Sequence, residues 1–136
     1  MLQLKPFEDI SGLDAGWLKA KHHFAIGPYG NPAHMAVGNL IVLNDDEIAP
    51  HTGFGLHHHA DVEIVSYIRE GTVTHRDDQG NVGKTHAGDV QVMSAGTGIR
   101  HSERMKKMFR FDYSRSGLNP PLQVEFLDGG TSRSQR

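Results

Sequence analysis

Between residues 61 and 103 the chain never runs far before a glycine or an Asx residue interrupts it, and that spacing restricts the folds open to it. Asp61–Arg69 and Thr72–Asp77 are rich in β-branched residues, and Val82–His86 and Val90–Met93 follow closely. Glu70-Gly71, Asp78-Gln79-Gly80-Asn81 and Ala87-Gly88-Asp89 separate them as turns, with Gly80 able to take the positive φ that a hairpin demands. Short strands at this spacing predict an all-β sandwich or barrel. A further strand is expected over Gly38–Asn44, ended by Asn44-Asp45-Asp46, and a last one over Pro120–Leu127 with Leu122, Val124 and Phe126 on one side. Residues 16–26 hold one or two short strands, in which Trp17 packs and the adjacent His22 and His23 face opposite sides, as ordinary structural residues. No segment carries a helical period of any length.

The chain of 136 residues fits one domain with a real core. Its formal charge of −2 provides no global field for nucleic acid or acidic membranes, and the basic stretch Arg104–Arg110 reads as a solvated face. The absence of cysteine removes disulfides and thiolate chemistry. The first residues lack the pattern of a signal peptide, and no apolar run reaches the roughly 18 residues of a membrane span, so a cytoplasmic protein is expected.

Ten histidines is a high number for this length, and their clustering matters more than their count. The stretch Gly55-Leu56-His57-His58-His59-Ala60-Asp61-Val62-Glu63 carries one His-x-His pair, and Gly96-Thr97-Gly98-Ile99-Arg100-His101-Ser102-Glu103 carries His-x-Glu. Residues two apart in a strand share a face, so each pair can look into one interior. Together they offer three imidazoles and a carboxylate, a set suited to a first-row transition metal. Gly96 and Gly98 are expected to let the backbone close to the site, while His58 points away from it.

Residues 55–63 and 88–103 resemble the two motifs of the cupin superfamily, and in detail those of the pirin family. Gly16-Trp17-Leu18-Lys19, His34-Met35, Gly53-Phe54-Gly55, Tyr67 through Gly71, His75-Arg76-Asp77, Gly80-Asn81 and Gly88-Asp89-Val90-Gln91 extend the likeness over residues 12–103. Its most specific piece is Met93 through Glu103. The resemblance implies a jelly-roll β-barrel, a single N-terminal cupin domain over residues 1–128 with a polar tail at 129–136. It also implies metal ligands at His57, His59, His101 and Glu103. Many other cupins take the carboxylate from the first motif, which makes Glu63 the substitute ligand or a residue supporting the site. Pirins normally carry a second cupin-like domain, and residues 104–118 read unlike the usual continuation. An uncovered apolar face and a homodimer are therefore expected.

The resemblance favours Fe(II), with copper, zinc, manganese or nickel as alternatives. It implies a metal-dependent dioxygenase that cleaves a flavonol such as quercetin, a small aromatic substrate, with Glu103 as ligand and as base for the substrate hydroxyl. The alternative is a non-catalytic iron-containing module that binds a regulatory partner protein and responds to the oxidation state of the metal. The plainest reading is a metal that only stabilises the fold.

Overall fold

The computed structural model describes residues 2, 4–106 and 122–126, the last five through their backbone alone. After a 3-10 turn at Phe7–Asp9 come β1 (Gly12–Asp14), β2 (Leu18–His22), β3 (Leu40–Ile48), β4 (Gly53–His59) and β5 (Glu63–Tyr67). They are followed by β6 (Thr72–Asp77), β7 (Val82–His86), β8 (Val90–Ser94), β9 (Ile99–Lys106) and β10 (Leu122–Phe126). All pairings are antiparallel and form a six-stranded sheet, β1-β2-β3-β10-β5-β8, and a four-stranded sheet, β4-β9-β6-β7. Among the described residues no ladder joins the two sheets, which face each other in the manner of the expected jelly roll. The one-sided alternation of Leu122, Val124 and Phe126, residues 107–118 and the tail at 129–136 lie outside the described residues.

Two strands differ from their sequence reading for identifiable reasons. β3 continues through Asn44-Asp45-Asp46, which read as a terminator. β2 pairs with it along the whole stretch, from His22↔Asn44 to Leu18↔Ile48, and the Arg69 guanidinium contacts Asp45 at 2.5 Å. Paired this way, an aspartate is tolerated inside a strand. β5 starts at Glu63 and not at Asp61, because Asp61 takes a left-handed φ of 55° and donates its N–H to the Gly96 carbonyl. That turn interrupts the two-residue alternation between His59 and Glu63.

β9 organises the interior. Ile99, His101, Glu103 and Met105 are buried in strict alternation, while Arg100, Arg104 and Lys106 are exposed. Its apolar ends enter separate clusters, Ile99 with Val62, Ile64, Met93 and Ala95, and Met105 with Ile68 and Val73. Burying each end contributes about 1.5–3 kcal/mol, which offsets the cost of holding an imidazole and a carboxylate between them. Gly53 lets β4 close onto β9: its φ is 151°, and a Cβ there would sit 2.1 Å from the Glu103 carbonyl oxygen. Among the described residues β4 is an edge strand, with an irregular register between Phe54 and His57. On the six-stranded sheet, Tyr67, Val90 and Val92 are exposed.

Candidate metal centre

Position 101 is where the two motifs meet. The register of β4 on β9 sets His57 directly opposite His101, and His59 follows two residues later on the same face. The His57–His101, His57–His59 and His59–His101 ring centroids are 4.3, 4.8 and 5.0 Å apart. One ring nitrogen from each lies within 4.8 Å of the others, a spacing from which three imidazoles can converge on one ion. Glu103 falls into a second such cluster, with His75 and His101, and the two clusters share His101. Glu103 Oε1 accepts a hydrogen bond from Gln91 Nε2 at 2.9 Å.

The hydrogen bond that His57 makes selects its tautomer. The Gly55 carbonyl can only accept, so His57 Nδ1 donates to it at 2.8 Å and leaves Nε2 with a lone pair. His101 Nδ1 faces His75 Nδ1 at 3.3 Å, and His101 Nε2 is buried with no hydrogen-bond partner among the described residues. Burial, followed by the charges His57, His59 and His75 would carry, pushes His101 down to about 3, against the opposing pull of Asp77. Burial, then His57 and His58, also lowers His59. Imidazoles held neutral by burial keep the lone pairs that ligation needs. An orphaned, buried nitrogen beside two more imidazoles suits a borderline metal ion.

The cluster borders a cavity of about 420 Å³. Leu13, Leu18, Ile26, Phe54 and Ile64 line it with apolar surface, and Trp17 packs edge-on against Phe54 with centroids 5.4 Å apart. Both sheets contribute, since β2, β3 and β5 face β4 and β9 across the cavity.

Several sequence-derived residues fall elsewhere. Glu63 does not face the cavity: the turn at Asp61 reverses its parity, and Ile64 takes the inward position while Glu63 accepts from Ser94 Oγ at 2.5 Å. His58 is exposed, as its parity requires. Gly98 makes room for His58 and not for the cavity, since a Cβ at 98 would meet His58 Nε2 at 2.9 Å, and Gly96 meets nothing within 4 Å. His22, read as an ordinary structural residue, lines the cavity wall with Asn44 and Asp46. His75 was missed as a site residue. Its signal was the spacing of His75 and Asp77, a pair on one strand face like the other two.

A family model, Pirin, matches residues 4–116. The chain belongs to the pirin family. It is 59% identical over 103 residues to the pirin-like protein of Caulobacter vibrioides, covering 76% of this chain and 44% of that one. It is 46% identical over 103 residues to a quercetin 2,3-dioxygenase of Escherichia coli K12, covering 76% and 45%. The chain thus spans about half the length of the curated pirin relatives it matches. Among solved structures it is similar to YhhW from Escherichia coli, with a TM-score of 0.80 and 35% identity over 96% of this chain and 53% of that one. It also matches the bacterial pirin YhhW in complex with nickel(II), with a TM-score of 0.77, 37% identity and the same coverage. The two facing sheets are accordingly the cupin jelly roll of the pirins. Among the described residues, no helix is long and apolar enough to cross a membrane.

Proposed function

We propose that this pirin-family chain holds a divalent metal, iron by preference, on His57, His59 and His101, and cleaves a flavonol such as quercetin with dioxygen. The observation that carries the reading is the convergence of three imidazoles beside a mainly apolar cavity with a buried carboxylate, Glu103, on its wall. The name of the Escherichia coli relative supports the substrate class, and the nickel(II) complex of YhhW supports a metal in this fold. A redox-active ion at the site supplies the one-electron chemistry that dioxygen needs to react with a closed-shell phenol.

The chain's own residues do the rest. Leu18, Phe54 and Ile64 present apolar surface to a flat aromatic ligand and keep water away from it. Glu103 accepts the proton of the substrate hydroxyl, which converts a poor reductant into an electron-rich phenolate. Gln91 orients that carboxylate through its 2.9 Å bond. As fourth ligand Glu103 has to turn toward His57 and His59, so its double role requires a carboxylate that moves.

The test is oxygen consumption by anaerobically reconstituted iron protein when quercetin is added. Uptake well above that of the metal-free protein and of Glu103→Ala is expected. Uptake no greater than that of Glu103→Ala overturns the reading.

A further inference from the structure

β6 lies beside β9 on the side away from β4, and its register sets His75 opposite Glu103 and Asp77 opposite His101. His75 is only 8% exposed, and His101 only 2%. The two rings meet through Nδ1 at 3.3 Å, and the far nitrogen of His75, Nε2, lies 3.5 Å from Asp77 Oδ2. Asp77 is fixed in turn by the hairpin that follows it. Its Oδ1 accepts from the backbone N–H groups of Gln79 at 3.0 Å and Asn81 at 2.9 Å, and its Oδ2 accepts from Asn81 Nδ2 at 2.9 Å.

Two proton arrangements fit a pair of facing Nδ1 atoms, and they have opposite consequences. If His75 Nδ1 carries the proton, His101 must accept it, and the proton of His101 then sits on Nε2. That would block the buried nitrogen that has no other partner. If instead His75 carries its proton on Nε2, its Nδ1 accepts from His101 Nδ1–H and leaves His101 Nε2 with a lone pair. Asp77 decides between them. An ionised carboxylate attracts a ring N–H and repels a ring lone pair, and at 3.5 Å that difference in sign still operates.

We propose that His75, oriented by Asp77, is a positioning residue that locks His101 in the Nδ1–H tautomer and so presents Nε2 to the metal. The inference rests on the reading of His57, His59 and His101 as ligands. It adds a third strand to the site: β4 and β9 supply ligands, and β6 supplies the pair that prepares one of them. Outer partners of this type commonly change metal affinity by about 10–100-fold.

The test compares nickel(II) affinity, by competition with a chelator, for the wild type, His75→Leu and His75→Asn. Asparagine places an acceptor oxygen where Nδ1 stands, while leucine fills the space without one. His75→Leu is expected to bind nickel about 10–100-fold more weakly, and His75→Asn to recover most of that loss. Ring-nitrogen NMR of the metal-free wild type is expected to show His101 protonated at Nδ1. Wild-type affinity in His75→Leu, or His75→Asn as weak as His75→Leu, overturns the inference and leaves the metal site standing. A wild-type chain that binds no nickel overturns both. If His75→Leu does not fold, the wild-type tautomer decides, and a proton on His101 Nε2 contradicts the inference.

Discussion

Gln91 Nε2 donates to Glu103 Oε1 at 2.9 Å, and this bond crosses from the six-stranded sheet to the four-stranded one. The Thr85 hydroxyl donates to Gln91 Oε1 at 3.1 Å, and flipping the amide would set its oxygen against the Glu103 carboxylate. Three strands, β7, β8 and β9, thus combine to orient one carboxylate. Gln91→Leu removes a donor from a buried charged acceptor, and a loss of about 1–3 kcal/mol in stability is expected. Urea denaturation measures it. Oxygen uptake with quercetin should fall more than metal content does, because the three imidazoles are untouched; equal losses would place Gln91 in metal retention instead.

The histidines give the metal-free domain a pH dependence of definite sign. His101 ionises near 3 when folded but near its ordinary 6.5 when unfolded. Between those values the unfolded chain binds a proton that the folded chain does not, so stability falls as the pH drops from 6.5 toward 3. Above 6.5 this contribution is constant. His59, also lowered by burial, acts in the same direction. Denaturation curves at pH 7 and pH 5 should show the lower stability at pH 5, and His101→Gln should flatten the difference. An unchanged slope in that variant would contradict the assignment.

Gly53 supports the site through its close approach to the Glu103 backbone. Alanine there meets the Glu103 carbonyl oxygen and must hold a φ of 151°. The backbone strain alone costs about 1–3 kcal/mol, and the clash adds to it. Gly55→Ala, two residues along the same strand, meets nothing within 4 Å and serves as the control. Gly53→Ala is expected to lower the thermal midpoint and weaken nickel binding, with Gly55→Ala near wild type. Equal behaviour of the two would show that β4 tolerates a different register.

The parts of this site that were legible in the sequence are those a strict two-residue period carries. His57 and His59, and His101 and Glu103, sit on unbroken stretches of β4 and β9, so their faces followed from spacing alone. Glu63 was misplaced because Asp61 adopts a left-handed conformation, which no alternation rule anticipates. β3 ran past its expected end because Asp45 is paired with Arg69, a partner 24 residues away that local propensity does not see. His75 has the same spacing signal as the recognised pairs. Its role depends on β6 lying next to β9 instead of β4, which is a matter of topology.

The proposed metal ion is held by His57, His59 and His101 together. Iron(II) reconstitution under nitrogen, desalting and elemental analysis test it most directly, with His57→Ala and His101→Ala beside the wild type. About one ion per folded wild-type chain and a large loss in both variants are expected. Full metal content in a folded His101→Ala chain would contradict it.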